Sequence, residues 1–224
     1  MSLVDIIGPV MVGPSSSHTA GAARIGNLAS LCFGKPVVRA DIYLRGSFAE
    51  TAKGHGTDRA IVAGILGIAP DDTRLKDSFE IAAEKGLNFN IFSESVDGAH
   101  PNSARLALSA ADGSSMNIVG ASIGGGAVVI ENIDGFDVNI SGELPTLVTF
   151  HEDVRGVVAK VTSLLDRMDI NIATLSLSRK SRSGTASMII EVDSPFPPGT
   201  AEMILSSSKA IKRAFILPSK GESL

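Results

Sequence analysis

Apolar and polar positions along the chain follow two periods, which together predict a mixed α/β protein. Small apolar residues dominate 20–33 and Gly34 follows them, which predicts a helix that ends there. Alternating apolar and polar residues predict strands over 37–48, 103–110 and 114–122. Further helices are predicted over 59–68 and 79–85, and further strands over 87–92, 127–130 and 136–140.

A different order of elements begins after the turn-forming sequence SGELP at 141–145. It predicts strand, helix, strand, strand, helix, strand, which is the order of a ferredoxin-like domain. We therefore expect α/β (α+β) architecture in two domains: a mixed α/β domain over 1–143 and a βαββαβ domain over 146–219. The predicted elements of the second domain are strands over 147–151, 170–178, 186–192 and 211–217 and helices over 156–168 and 200–208.

Composition narrows the class of protein. Of 224 residues, 44% are hydrophobic and 20% are charged, which excludes a disordered chain. The net charge of −4 argues against binding to nucleic acid. No apolar run approaches the roughly 18 residues of a membrane span, and no signal peptide is evident, so we expect a cytoplasmic protein. Cys32 is the only cysteine in the sequence, so this chain alone can form no internal disulfide and cannot supply several thiolates to a cluster.

The sequence GPSSSHT at 13–19 places hydroxyls at the predicted start of a helix. Unpaired backbone N–H groups and the helix dipole make such a start suitable for a carboxylate or a phosphate. The alternative interpretation is simple helix capping, for which Ser and Thr are usual residues. Capping needs one such residue, whereas five hydrogen-bonding residues are consecutive at 15–19, and this favours a binding loop.

Two other short motifs carry histidines. His55 lies between glycines in GHGTD at 54–58, where the backbone allows close access and the imidazole can transfer a proton near neutral pH. A solvated surface turn is the alternative. In HPN at 100–102 a proline fixes the backbone between two polar side chains, and an ordinary turn is an equally open interpretation.

Two further possibilities are disfavoured by spacing. The triple glycine at 124–126 resembles a phosphate-binding loop, but no Gly-Lys-Ser/Thr follows, so a bulge or a close backbone approach is expected there. His18, His55 and His100 do not have the i, i+4 spacing of a helical zinc pair, which argues against a metal site built from them.

Taken together, the motifs resemble those of the iron–sulfur-dependent L-serine dehydratases, specifically the separate beta chain of the two-subunit bacterial type. The resemblance covers essentially the whole chain, and its longest segment is the most specific. The segments that carry it are GPVMVGPSSSHTAG at 8–21, KGHGTD at 53–58, HPN at 100–102, GASIGGG at 120–126 and SGELPTL at 141–147.

This resemblance implies an activity and a cofactor. Enzymes of this type convert L-serine to pyruvate and ammonia without pyridoxal phosphate, using a [4Fe–4S] cluster that binds the substrate hydroxyl. The cysteines that hold the cluster belong to the alpha chain, so no metal ligand is expected in this chain. The resemblance also implies that the first domain is similar to the allosteric substrate-binding domain of some phosphoglycerate dehydrogenases and that the second is an ACT domain.

The resemblance also implies roles for individual residues. His55 is expected to be the base that removes the α-proton of the substrate. Thr57 and Asp58 are expected to cap the following helix, and Asp58 to orient an imidazole. The residues expected to hold the substrate carboxylate or to line the pocket are Ser15, Ser16, Ser17, His18, Thr19, His100 and Asn102.

The implied partners are an alpha chain, L-serine and a second copy of this chain, paired through the ACT domain at 146–219. Arg155 stands where ACT domains commonly have proline in their first turn, and this changes a loop at which such domains often bind ligands. Two alternatives stay open: a non-catalytic regulatory subunit that senses an amino acid, and a free-standing amino-acid-binding protein. His55 discriminates between them and the enzyme, because a sensor needs no proton-transfer group.

Overall fold

The computed structural model describes residues 11–219, which it divides between Gly135 and Phe136 into two compact units. Both units combine helices with a sheet, so the predicted mixed α/β class is confirmed. The division precedes the predicted boundary because the strand Phe136–Ile140 groups with the second unit. The first three residues of the motif at 8–21 lie outside the described residues.

The first unit contains one sheet and the helices that precede and follow its first strand. Its strands lie in the order β2-β1-β3-β4-β5, with β1 and β2 parallel and the other pairs antiparallel. The elements are a π-helical turn (Ser16–Gly21), α1 (Ala22–Phe33), β1 (Arg39–Leu44), α2 (Gly46–Glu50), α3 (Ala52–His55), α4 (Thr57–Ile65), a 3-10 turn (Thr73–Asp77), α5 (Ser78–Glu84), β2 (Asn88–Ser93), β3 (Ser103–Ser109), β4 (Ser115–Gly124) and β5 (Ala127–Ile133).

Helices α1 and α4 approach each other more closely than side chains would allow. A Cβ atom at Gly26 would collide with the carbonyl oxygen of Ile61, and one at Gly64 would collide with the carbonyl oxygen of Ala23. The two glycines therefore let the helix backbones touch. This contact fixes α4, whose start follows directly on His55 and Gly56.

The predicted strand over 37–48 is wrong in its second half. Strand β1 ends at Leu44, and Gly46 turns the chain into α2 with a φ of 46°. A side chain at Gly46 would also meet the backbone of Pro101. The segment at 53–55 was expected to be a turn but forms the end of α3, which stops at Gly56 with a φ of 68°. These two corrections place Ser47 and His55 on consecutive short helices.

The triple glycine forms the tight turn between β4 and β5. All three residues, Gly124, Gly125 and Gly126, have positive φ angles. The pairing register of the two strands shifts between Ser122 and Gly124, so the irregularity comes where the triple glycine begins, and the three glycines themselves form the turn. The guanidinium of Arg24 donates to the carbonyl oxygen of Gly126 at 2.7 Å and ties the turn to α1.

The second unit has the predicted order of elements. After β6 (Phe136–Ile140), strand, helix, strand, strand, helix and strand follow, and the sheet order is β10-β7-β9-β8 with all pairs antiparallel. That is the ferredoxin-like arrangement. The elements are β7 (Thr146–Glu152), α6 (Val157–Arg167), β8 (Ile172–Arg179), β9 (Thr185–Val192), α7 (Thr200–Ser207) and β10 (Ile211–Leu217).

Helix α6 covers one face of this sheet. Its buried residues Val157, Val161 and Leu165 pack in one cluster with Met188 and Ile190 of β9. Within residues 11–219, none of the helices has the length and apolarity needed to cross a membrane.

Candidate functional site

Two histidines that are far apart in sequence face each other in the first unit. His18 lies on the π-helical turn and His55 ends α3, and their ring centroids are 5.0 Å apart at an interplanar angle of 78°. The hydroxyl of Thr19 donates to the carbonyl oxygen of His55 at 3.3 Å. The structure therefore brings the SSSHT and GHGTD motifs together, and we call His18 and His55 the imidazole pair.

Hydrogen bonds engage both ring nitrogens of His18. Nδ1 lies 3.0 Å from Oγ of Ser17 and 3.3 Å from Oγ of Ser15, and Nε2 lies 3.0 Å from Oγ of Ser47. The ring is only 8% exposed. Burial, and then the charge of the neighbouring His55, lower the pKa of His18, so its ring is neutral at physiological pH.

The hydroxyls of the first motif are largely used within the protein. Ser15 caps the π-helical turn, because its Oγ accepts from the backbone N–H of His18 at 3.3 Å. Ser17 contacts the His18 ring and Thr19 holds the His55 backbone. Capping is thus confirmed for Ser15, while Ser17 and Thr19 support the imidazole pair. π-Helical turns occur frequently at functional sites.

Two buried polar atoms at the junction of α3 and α4 lack a hydrogen-bond partner among the described residues. Nδ1 of His55 is buried and has no hydrogen-bond partner among residues 11–219, and the same holds for Oγ1 of Thr57. The prediction that Thr57 caps α4 is wrong, because Gly56 occupies the capping position and the Thr57 hydroxyl makes no hydrogen bond within residues 11–219. Asp58 accepts from the backbone N–H of Arg59 at 2.8 Å. Buried polar atoms usually have a partner, so these two call for a functional explanation.

The loop at 100–102 is tied to the same region through its backbone. The carbonyl oxygen of Pro101 accepts from the N–H of Phe48 at 3.3 Å, and that of Asn102 accepts from the N–H of Ser122 at 2.8 Å. Nδ1 of His100 accepts from the N–H of Asn102 at 3.1 Å, which places the proton of the neutral ring on Nε2. Oδ1 of Asn102 and Oγ of Ser122 are buried without a partner in the described part of the chain.

Comparison with known proteins identifies the family. The serine dehydratase beta chain family matches residues 2–86, which include the imidazole pair. The L-serine dehydratase beta chain of Peptoniphilus asaccharolyticus is 42% identical over 91% of this chain and 92% of its own. A probable L-serine dehydratase beta chain of Bacillus subtilis is 44% identical over 86% of this chain and 87% of its own. The chain belongs to the L-serine dehydratase beta chain family.

A more distant similarity extends beyond the beta chain family. The D-3-phosphoglycerate dehydrogenase of Synechocystis is 27% identical over 80% of this chain, but the match covers only 32% of that enzyme. A unit of this type therefore also occurs as one part of a longer chain with a different name.

Three residues that contact the π-helical turn were not predicted to belong to the site. They are Ser47, Phe48 and Ser122. Ser47 and Phe48 fell within the wrongly predicted strand, so neither was expected near His18. Phe48 is fully buried, and its ring lies 5.3 Å from that of His18. Ser122 packs directly against Gly21 of the π-helical turn, where a Cβ atom would collide with its hydroxyl. Gly21 lies in the motif at 8–21 and Ser122 in the motif at 120–126. The glycines in these two motifs were the signal in the sequence for a close contact.

A cavity of about 460 Å³ borders α2 but includes neither ring of the imidazole pair. Its lining includes Arg45, Glu94 and Pro101. Glu94 accepts hydrogen bonds from two arginines, and the bond from Arg105, followed by that from Arg45, lowers the pKa of its carboxyl. These charges satisfy one another, so the unpartnered atoms near His55 mark the candidate site better than this cavity does.

Metal ligation by this chain alone finds no support in its donor groups. Within residues 11–219, no three His, Cys, Asp or Glu side chains are close enough to hold a metal ion together. Cys32 is fully buried in α1. One buried thiol does not fit an iron–sulfur cluster, which needs several thiolates.

Proposed function

We propose that this chain is the beta chain of a two-subunit L-serine dehydratase and that it contributes its imidazole pair to the conversion of L-serine to pyruvate and ammonia. The observation that carries the proposal is the meeting of the two histidine motifs. His55 has a buried ring nitrogen with no partner in the described part of the chain, and its ring lies 5.0 Å from the firmly held ring of His18. The names of the 42–44% identical relatives support the choice of substrate.

In this proposal His55 is the general base. Loss of water from serine requires removal of the proton on Cα and departure of the hydroxyl from Cβ, which leaves an enamine that hydrolyses to pyruvate and ammonia. The Cα proton is weakly acidic, so a positioned base is needed. An imidazole is suited to this role near neutral pH.

Polar groups of the loop at 100–102 fit the rest of an amino acid. Oδ1 of Asn102 is an unpartnered acceptor in the described chain and suits an ammonium group. Nε2 of His100 carries a proton when the ring is neutral and suits a carboxylate. Ser16 and the backbone of the π-helical turn complete the proposed carboxylate cradle. Thr57 stays in the proposal as a neighbour of His55, now through its unpartnered hydroxyl rather than as a cap.

The cluster belongs to the partner chain in this proposal. Because Cys32 is a single buried thiol, the chain needs an alpha chain with several cysteines. When bound there, a [4Fe–4S] cluster supplies a Lewis acid for the departing hydroxyl. The groups contributed by this chain bind the substrate and move its proton.

Pairing of two copies through 146–219 is proposed as well. Strand β8 forms an edge of the four-stranded sheet and exposes Leu175 and Leu177, which are 40% and 48% accessible. An edge strand with apolar residues is a ready surface for a second copy. Light scattering at micromolar concentration should give the mass of a dimer, and a monomer would contradict the pairing.

A non-catalytic sensing subunit is the second candidate function. The partial match to D-3-phosphoglycerate dehydrogenases favours it, because a similar unit is attached there to an enzyme of another name. A sensor would keep the anion-binding turn but would not depend on the His55 imidazole for turnover.

The test is reconstitution. This chain is co-expressed anaerobically with the multi-cysteine alpha chain expected beside it in the genome, and pyruvate formation from L-serine is measured for the complex and for each chain alone. We expect turnover only with both chains. Full activity of the alpha chain alone would contradict the proposal.

A further inference from the structure

We propose that Ser47 is a positioning residue, which holds the His18 ring by Nε2 and thereby sets the orientation of His55. The catalytic consequence of this inference rests on the proposed function, whereas the geometric part does not. Ser47 belongs to none of the motifs that carry the family resemblance.

The first step is the anchoring of the His18 ring. Nδ1 is held by Ser17 and Ser15, and Ser47 is the partner of Nε2, at 3.0 Å. A neutral imidazole has one donor and one acceptor nitrogen, and the hydroxyls can take the complementary role at each. Rotation of a histidine ring about its last torsion is otherwise broad and roughly two-fold. Loss of the Ser47 hydroxyl therefore frees one edge of the ring.

The second step is the contact between rings. The His18 ring lies edge-on to His55, with centroids 5.0 Å apart, and edge-on to the buried Phe48 ring at 5.3 Å. Phe48 follows Ser47 directly on α2. The same short helix therefore holds His18 at a nitrogen and at a ring edge, and a rotated His18 ring would collide with or withdraw from His55.

The third step runs through the backbone. The carbonyl oxygen of Ser47 accepts from Oγ1 of Thr51 at 2.7 Å and from its N–H at 3.0 Å. The carbonyl oxygen of Thr51 accepts from the N–H of His55 at 3.0 Å. Thr19, which follows His18 in the sequence, donates from its hydroxyl to the carbonyl oxygen of His55 and so links the two histidines a second time. Ser47 thus connects to one histidine through its side chain and to the other through its backbone.

A purely local role for the Ser47 hydroxyl does not match its contacts. Serine near a helix start commonly caps the helix, but Arg45 is in the capping position of α2 and no side chain of the described residues caps it. The Ser47 hydroxyl instead contacts a ring 29 positions earlier in the chain.

The test compares Ser47→Ala and Ser47→Thr in the full chain, with Ser206→Ala as a matched control on the exposed face of α7. The first readout is the ¹⁵N chemical shifts of the His18 ring nitrogens in the isolated chain, which report the tautomer. The second is kcat and KM for L-serine in the complex with the alpha chain. Circular dichroism confirms that each variant folds.

We expect Ser47→Ala to change the His18 nitrogen shifts and to lower kcat about 3- to 10-fold, the effect of one hydrogen bond, with a smaller change in KM. Ser47→Thr keeps a hydroxyl and should restore both readouts, and Ser206→Ala should change neither. Unchanged His18 shifts in Ser47→Ala would overturn the inference. So would changed shifts with unchanged kcat in an active complex. Changed shifts in the isolated Ser47→Ala chain, together with no turnover by the complex of the parent chain, would support the anchoring geometry and reject the proposed function instead.

Discussion

The two units bury their helices in different ways. In the first unit, α1 and α4 touch through backbone at Gly26 and Gly64. In the second, α6 packs through larger side chains such as Val161 and Leu165. Backbone contact at these glycines brings the two helices close together, and the polar residue Thr57 at the start of α4 is buried as well.

The units also differ in where unpartnered polar atoms lie. In the first unit, the π-helical turn contacts both His55 and Ser122, which carry two such atoms. In the described part of the second unit, up to residue 219, they are Nε2 of His151 and Oγ of Ser187. Ser187 pairs with Phe150, the neighbour of His151, so the two side chains point to opposite faces of the sheet. Convergence of such atoms, rather than their presence, distinguishes a candidate site.

The largest effect is expected from removing volume in the second unit. Leu165→Ala leaves a cavity under α6 and should lower the free energy of unfolding by about 2–5 kcal/mol. Urea unfolding followed by circular dichroism measures it. Leu205→Ala on the exposed face of α7 is the control and should cost less than about 0.5 kcal/mol. Equal losses from both variants would contradict the apolar core described for this unit.

Adding side-chain volume between α1 and α4 should lower the stability of the first unit. Gly64→Ala places a methyl group against the carbonyl oxygen of Ala23 and should cost about 1–3 kcal/mol through the separation of α1 from α4. Gly54→Ala is the control, because a Cβ atom there meets nothing within 4 Å. Thermal unfolding should show a clear loss for the first variant only. A stable Gly64→Ala protein would show that the helices can move apart at little cost.

Two matched serines test the contrast between the units. Ser122 and Ser187 are both fully buried, and both hydroxyls are unpartnered in the described chain. Replacement of either by Ala removes an unsatisfied group and should leave stability equal or raise it by up to about 1 kcal/mol. Only Ser122→Ala should lower turnover of L-serine in the complex, by about tenfold if its hydroxyl contacts the substrate. Equal turnover in the two variants would remove Ser122 from the candidate site.

The smallest effect concerns an exposed ion pair. Hydrogen bonds from the Arg74 side chain, followed by its backbone N–H, lower the pKa of Asp72 from 3.8 to about 2. Because the folded pKa lies below the unfolded one, the contribution is present above pH 4 and is lost as the pH falls towards 2. Asp72→Asn should therefore be slightly less stable than the parent chain at pH 7, with the difference closing in that acidic range. Urea unfolding across pH measures the difference, and a constant gap would contradict the shift.

Much of the fold could be predicted from periodicity. The whole order of the second unit follows from alternation and helical spacing, and Gly34 marked the end of α1. The segment at 45–55 could not be predicted, because Arg45, Gly46 and Ser47 continue the alternation of β1. Tertiary contacts decide its structure: Gly46 turns against Pro101, and Ser47 meets His18.

The candidate site was predictable only in part, because tertiary contacts decide some of its geometry as well. Short motifs identified His18, His55 and the loop at 100–102, since glycine, proline and consecutive hydroxyls are visible locally. Ser15 and Ser17 contact the neighbouring His18, whereas Thr19 donates to His55, which is 36 positions later in the chain. No local pattern distinguishes a hydroxyl that binds a ligand from one that braces an imidazole.

The most direct measurement is pyruvate formation by the assembled two-chain complex with His55→Ala in this chain. Lys53→Ala, an exposed change on the same helix, is the control, and size-exclusion chromatography checks that the complex still forms. The account predicts that His55→Ala lowers kcat at least about 100-fold, as loss of a general base does, while Lys53→Ala has no effect. Turnover of the His55→Ala complex close to that of the parent complex would contradict the account.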